Sequence, residues 1–307
     1  MAQMTTDTDT TLTYSLLGHV VTVQGAATSP TLSDRLDALL GPGVSSNERR
    51  TGRPTILTIR RDEAGWQLVN QSDDGPCESL RTEEEVAQYV EWMAYSATIR
   101  HTQLPLLLHS GAVVRNGVAV LLPNVSGAGK TTLTLALAAR GWLPLTDDVC
   151  PLDERDGELV AIGCRRCCHL TPHSLAVLRA QGVTLEGPLG GMIFYFYRPR
   201  EWAERAPVRG IVIPRYVAES PTRFAPITQA ECLGQLLHMT FPQEAPPADE
   251  RRRTAARLAA KAPGFTLTYS ALDEVLDIFE TLEARIVATS PTDVSRIPVT
   301  TRSRTSA

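Results

Sequence analysis

Lysine is almost missing from this chain: of 30 basic residues, only Lys130 and Lys261 are lysines and the rest are arginines. Net charge of one sign is also missing. The 30 basic residues face 34 acidic ones, for a formal charge of −4. That balance excludes wholesale attraction to nucleic acid or to an anionic membrane. No apolar run reaches the roughly 18 residues that a membrane-spanning helix needs. The opening MAQMTTDTDTT has neither a basic n-region nor an apolar h-region, so no signal peptide is predicted and a cytoplasmic location is expected. The six cysteines (Cys77, Cys150, Cys164, Cys167, Cys168 and Cys232) cluster unevenly in a long chain, which predicts reduced thiols rather than a disulfide framework. No internal repeat is found. What remains is ordinary for a globular protein: 307 residues, 43% hydrophobic and 21% charged, enough for one large domain or two modest ones.

Residues 1–11 and 285–307, rich in Thr, Asp, Ser and Arg without apolar periodicity, are predicted to be disordered tails. Residues 12–101 are predicted to form a small, mostly β N-terminal domain. Its short apolar stretches are separated by Gly, Pro, Ser and Asp, with a hairpin turn at Asp62–Gly65. Its last element is a helix, opened by a capping box of Thr82 and Glu85 and carrying Val86, Tyr89, Val90, Met93 and Ala97 on one face. Residues 102–284 form the second predicted domain. It begins with LPLLLHSGAVV, an Asn116-Gly117 hairpin turn and the unbroken apolar strand VAVLLP, which reads as buried on both faces. The helix TTLTLALAAR follows the glycine-rich loop. Further on, strands are predicted at Leu143–Leu145, Glu158–Ile162, Arg209–Tyr216 (with Pro214 at its edge or end) and Phe265–Tyr269. A helical turn is predicted at Ser174–Arg179, and helices at Gln229–Met239, Ala248–Ala262 and Ala271–Leu282.

The chemistry concentrates in Asn124-Val125-Ser126-Gly127-Ala128-Gly129-Lys130-Thr131-Thr132. This run matches the P-loop pattern G-x-x-x-x-G-K-[ST] at every position but the first, where Asn124 replaces glycine. Gly127 and Gly129 allow backbone N–H groups to turn inward around phosphate oxygens. Lys130 brings positive charge to the β- and γ-phosphates, Thr131 offers a hydroxyl to Mg²⁺, and the helix start adds its positive dipole end. Asn is a mild departure at position 124, because it tolerates left-handed backbone angles. In a chain that otherwise chooses arginine, the lysine at this position is the strongest single sign of nucleotide binding. Asp147 and Asp148 end a short strand 17 and 18 residues after Lys130. Alone they would read as a solvated turn. Downstream of a P-loop they are candidates for metal binding and for accepting a hydroxyl proton. His109, 15 residues before Asn124, would by itself be read as structural.

His109-Ser-Gly-Ala-Val, the hairpin, NVSGAGKTT and Arg140-Gly-Trp-Leu-Pro-Leu-Thr-Asp147-Asp148-Val together resemble the nucleotide-binding core of HPr kinase/phosphorylase. They are closer still to the HPr-kinase-like serine kinases of peptide-biosynthesis clusters. The strong match covers about residues 104–150, and a weaker one continues through PVRGIVIPRY to the last helix. The resemblance implies an α/β, phosphoenolpyruvate-carboxykinase-like P-loop fold, a mixed twisted sheet flanked by helices. It implies ATP and Mg²⁺ as cofactors and γ-phosphoryl transfer to a serine or threonine hydroxyl. Asp148 would accept the proton, Lys130 would neutralise phosphate, Thr131 and Asp147 would serve the metal, and His109 would support the site. The expected partner is a peptide or small protein, a biosynthetic precursor peptide among the candidates, and a homo-oligomer is left open. A small-molecule hydroxyl kinase and a non-catalytic ATP-binding regulator are the alternatives. Where the family carries Glu-Ile-Arg-Gly-Leu-Gly, this chain has Gly163-Cys-Arg-Arg-Cys-Cys-His-Leu-Thr-Pro-His173 without an acidic residue. The resemblance therefore does not extend to phosphorylase activity or to HPr as acceptor.

That segment holds enough soft ligands for Zn²⁺, but no second, separated ligand pair follows, so a reduced, metal-free loop is expected. In the family this chain resembles, the equivalent stretch approaches the acceptor, which implies that Arg165 and Arg166 would steer phosphate or an acidic peptide. Arg209 and Arg215 are candidate phosphate contacts or plain edge charges, and the four tryptophans are expected to pack rather than to stack on a base.

Overall fold

The computed structural model describes residues 11–25, 29–41, 53–63, 65–72, 78–186, 189–191, 193–288 and 300–302. It is a mixed α/β protein that divides into two compact units. One unit comprises the chain up to Thr102 with Leu189–Arg198 and Pro242–Glu244; the other comprises Gln103–Pro188, Pro199–Phe241 and the chain from Ala245 on.

In the first unit, β1 (Thr11–Leu16), β2 (His19–Gln24), β3 (Thr55–Asp62), β4 (Gly65–Asn70) and β5 (Glu78–Leu80) form a sheet in sequence order. All neighbours are antiparallel except β2 and β3. A parallel pair needs a crossover, and α1 (Pro30–Leu40) supplies one. This helix is missing from the mostly β expectation, although its signals are present. Ser29 accepts the Leu32 N–H at the N-cap, Pro30 follows, and Leu32, Leu36, Leu39 and Leu40 are buried at helical spacing. α2 (Glu83–His101) packs against α1 and the sheet. Thr82 caps it by accepting the Glu85 N–H at 3.1 Å, but the Glu85 carboxylate reaches back to the Arg81 N–H rather than to that of Thr82. Short strands β12 (Leu189–Gly190) and β13 (Tyr195–Tyr197) complete this unit.

The second unit is built on β6 (Leu106–Arg115), β7 (Val118–Pro123), β8 (Leu143–Thr146), β9 (Val149–Arg155), β10 (Glu158–Ile162), β14 (Arg205–Tyr216), β15 (Thr222–Pro226), β16 (Gly264–Tyr269) and β17 (Thr300–Arg302). The strand order is β10-β9-β6-β7-β14-β16-β15-β17, with β8 also on β6 and β10 also on β14. Helices α3 (Lys130–Ala138), α4 (Pro172–Ala180), α5 (Gln229–His238), α6 (Ala248–Lys261) and α7 (Leu272–Ala288) and the short β11 (Cys168–Leu170) complete it. The turn between β6 and β7 consists of Asn116 and Gly117, both at positive φ, as a tight hairpin with right-handed strand twist requires. Leu106, Leu108, Leu121, Ile211, Leu236 and Leu258 meet in its core.

Two expectations are corrected. Of the two readings of Pro214, edge or end, the edge is excluded: β14 is a central strand, parallel to both β7 and β16, and Pro214 lies two residues before its end. Ile211 and Val217 donate their N–H groups to carbonyls of the β16 side, Pro263 and Tyr269. Alternation therefore turns the Pro214 nitrogen toward β7, beyond Leu121 where that ladder has ended, and no ladder bond is lost. The chain beyond residue 285 is not wholly a tail: α7 runs to Ala288, and β17 pairs antiparallel with the edge of β15. Thr11 likewise belongs to β1. Residues 1–10, 289–299 and 303–307, on which the rest of the tail expectation falls, lie outside the described residues.

β6 is the strand that assembles the site. Opposite Ser110 on one side lies Pro123, the last residue before the glycine-rich loop. On the other side His109 faces Val149 and Ala112 faces Thr146, so the Asp147-Asp148 turn falls at the same level. Gly111 lets α3 approach this point, since a Cβ there would lie 2.8 Å from Thr134 Oγ1. Gly111→Val is therefore expected to lower stability by about 1–3 kcal/mol through overpacking. The shift of the denaturant midpoint measures it, and an unchanged midpoint would contradict the close approach.

Candidate active site

The loop after β7 carries Val125, Ser126 and Gly127 at its exposed tip, with Gly127 and Gly129 at φ of 81° and 88°. Gly129 is the N-cap of α3, and Lys130 through Thr132 form the helix's first turn. Asn124 earns its place by bridging. Its Nδ2 donates to the Pro214 carbonyl at the end of β14, and its Oδ1 accepts the Val125 N–H at 2.7 Å. A glycine could make neither bond, so the departure from the motif ties the loop to the neighbouring parallel strand.

Lys130 is buried, with 5% of its surface exposed. Its ammonium donates to the carbonyls of Asn124 at 2.8 Å and Val125 at 2.9 Å, and lies 3.0 Å from His109 Nε2. Burial lowers its pKa, while Asp148 and Asp147 act in the opposite direction. The same His109 nitrogen lies 2.8 Å from Asp148 Oδ1. A proton on Nε2 satisfies that carboxylate; Nε2 then cannot accept from Lys130, and the two meet as neighbours. The other oxygen of Asp148 accepts from Arg166 Nη1 at 2.7 Å. Burial works against the charge of Asp148, but the His109 hydrogen bond and the Arg166 and Lys130 cations outweigh it and hold the carboxyl well below the usual range.

Asp147 behaves oppositely. It is 2% exposed, and its Oδ2 accepts from Thr131 Oγ1 at 2.8 Å. Its Oδ1 is buried without a hydrogen-bond partner. Burial, reinforced by neighbouring Asp148, pushes this carboxyl up to about 6 against the pull of Thr131, His169 and Arg166. A buried acceptor left open beside a hydroxyl fits Mg²⁺, which takes one or two protein oxygens and completes its shell with water and phosphate. A closed protein cage is not on offer: among the described residues no group of three or more His, Cys, Asp or Glu is placed to hold a metal ion.

The structure thus brings together Asn124, Lys130, Thr131, His109, Asp147 and Asp148. Arg166 joins them in a role that its place in the sequence did not indicate. Its loop is pinned alongside β8, with Gly163 N–H on the Glu204 carbonyl at 2.7 Å and Cys164 N–H on the Leu145 carbonyl at 2.9 Å. A side chain at Gly163 would run into the Ala203 carbonyl at 2.5 Å. Cys164, Cys167 and Cys168 are buried, and none of them forms a disulfide. Arg165 is exposed and faces Glu204. Arg209 lies toward the opposite end of β14 and pairs with Glu158, whereas Arg215 is exposed at the loop end. Trp142 packs edge-on against Phe279, while Trp92 is 57% exposed on α2.

No protein-family model matches the chain, and no curated protein matches it. Among solved structures, the Hpr(Ser) kinase/phosphatase from Coxiella burnetii is similar at 15% identity, covering 58% of this chain and 98% of that one with a TM-score of 0.29. So loose a superposition leaves the geometry of the side chains as the ground for function.

Asp147 also makes the metal-free protein pH-sensitive. Its folded pKa is pushed up to about 6, above the unfolded value, so its contribution is fully present below about pH 4 and is lost as pH rises through about 6. Such a rise corresponds to about 3 kcal/mol. Relative to Asp147→Asn, wild type without Mg²⁺ should lose roughly that much stability between pH 4 and pH 7 in denaturant unfolding. A difference that stays flat with pH would contradict the buried, unpartnered carboxylate.

Proposed function

We propose that this chain is a Mg²⁺-ATP-dependent phosphotransferase that phosphorylates a hydroxyl group. The observation that carries the reading is the shared contact of Lys130 and Asp148 with one nitrogen of His109, at 3.0 and 2.8 Å. It sets the lysine that would bind phosphate and the candidate proton acceptor a few ångströms apart. The N–H groups of residues 126–131 would cradle the polyphosphate, and Lys130 would leave the Asn124 and Val125 carbonyls for phosphate oxygens. Thr131 and Asp147 would hold Mg²⁺, which supplies charge neutralisation when bound. Asp148 would orient the acceptor hydroxyl in line with the γ-phosphorus. As the new O–P bond forms and the bond to the β–γ bridging oxygen breaks, the hydroxyl proton passes to Asp148 and ADP departs.

So depressed a carboxylate is a weak base. It suits a loose transition state in which the hydroxyl loses its proton late. Arg166 would have to yield Oδ2 for the hydroxyl to bind there.

The finer assignments rest on the motif resemblance over residues 104–150: a phosphoenolpyruvate-carboxykinase-like fold, a serine or threonine kinase, and a peptide or small-protein acceptor. A small metabolite is the alternative acceptor. One observation favours a non-catalytic, ATP-binding regulator: both oxygens of Asp148 are already engaged, by His109 and Arg166.

Transfer from γ-labelled ATP to a panel of hydroxyl peptides and metabolites separates these readings. Asp148→Asn is expected to slow transfer roughly 10²- to 10⁴-fold while ATP binding stays near wild type. Full activity in that variant would overturn the role of Asp148, and tight binding without transfer across the panel would favour the regulator. Lys130→Ala should lose ATP binding itself, measured by calorimetry; retained affinity would contradict the loop as the nucleotide site.

A further inference from the structure

We propose that Tyr216, braced by Tyr269, is the platform on which the base of the bound nucleotide stacks. This inference rests on the nucleotide reading above and adds the side of the site on which the nucleoside lies.

Topology points there first. The C-terminal ends of the three parallel neighbours β7, β14 and β16 lie side by side, the position where open α/β sheets bind ligands. The end of β7 becomes the phosphate loop. The ends of β14 and β16 are Tyr216 and Tyr269, which are direct partners in register. The Asp147-Asp148 turn lies on the other flank of β7, across β6. A polyphosphate whose terminal group faces Asp148 must run along the loop with its nucleoside end directed away from the carboxylates. That end comes out over β14 and β16.

Contacts on the loop point the same way. A Cβ on Gly129 would lie 2.7 Å from the Tyr269 hydroxyl, so this tyrosine lies directly against the phosphate loop. The loop is bound to β14 as well, through the Asn124 side chain on the Pro214 carbonyl, two residues before Tyr216. Tyr269 is 4% exposed, while Tyr216 is 50% exposed. Their rings meet edge to face, with centroids 5.9 Å apart at 76°. The buried ring thus fixes the exposed one and leaves aromatic surface open beside the loop. A lone exposed tyrosine is commonplace. One held by a second tyrosine that itself abuts the N-cap of the P-loop helix is a preformed stacking surface. Stacking uses the face of a base and tolerates base identity.

The test compares binding of Mg²⁺-ATP and of Mg²⁺-tripolyphosphate, which has no nucleoside, to the full chain by titration calorimetry. Tyr216→Ala is expected to weaken ATP about 10- to 100-fold and to leave tripolyphosphate unchanged, with Tyr216→Phe restoring wild-type ATP affinity. The platform is overturned if Tyr216→Ala binds ATP as wild type does, or if both ligands weaken in step. Lys130→Ala is expected to lose both ligands. If wild type binds neither ligand, the nucleotide reading itself fails and the platform fails with it.

Discussion

One imidazole nitrogen, Nε2 of His109, organises the charges of this site. It lies within 3.0 Å of the Lys130 ammonium and 2.8 Å of the Asp148 carboxylate, so three residues on β6, at the start of α3 and in the turn after β8 must keep their places together. A buried ammonium is costly unless it is compensated. Here the compensation comes from two loop carbonyls by hydrogen bond and from two carboxylates by charge. Arg166 closes the arrangement from the far side of Asp148. The result is a set of opposed charges that hold one another in place, and on the proposed reading Lys130 exchanges its two carbonyls for phosphate while Arg166 releases one oxygen of Asp148.

The sheet explains why this constellation assembles. β6 lies between β7 and the β8–β9 pair, so the strand that carries His109 has the glycine-rich loop at one edge and the aspartate turn at the other. Backbone hydrogen bonds reinforce the placement: Asn124 N–H reaches the His109 carbonyl, and Ser110 N–H reaches the Asp148 carbonyl. Asp147 is the exception to this economy. A carboxylate buried with one oxygen unpartnered destabilises the fold, and such groups persist at functional positions. The same orphaned oxygen makes Thr131 and Asp147 a credible Mg²⁺ pair.

Much of this was legible in the sequence because it is local. The glycine-rich loop and the helix start after it follow from glycines, lysine and threonine at fixed spacing, and the Asn116-Gly117 turn and the Thr82 cap are short-range chemistry. Helix α1 was legible too, with Ser29, Pro30 and four leucines at helical spacing, but short apolar stretches on either side favoured a β reading. The rest depends on contacts that no spacing encodes. Arg166 meets Asp148 only because Gly163 and Cys164 pin their loop beside β8. Asn124 looked like a tolerated departure from glycine, and its bond to Pro214, 90 residues away, shows a positive function. Pro214 read as an edge signal because the sequence does not reveal where the β7 ladder stops. Tyr216 and Tyr269 carry no motif at all; strand register alone pairs them.

The most direct test of the account is a crystal structure with Mg²⁺ and a non-hydrolysable ATP analogue. It should show phosphates within the 124–131 loop, Lys130 moved from the Asn124 and Val125 carbonyls onto phosphate oxygens, and the metal beside Thr131 and Asp147. Phosphates bound elsewhere, or a metal remote from Asp147 with Lys130 still on its two carbonyls, would contradict it.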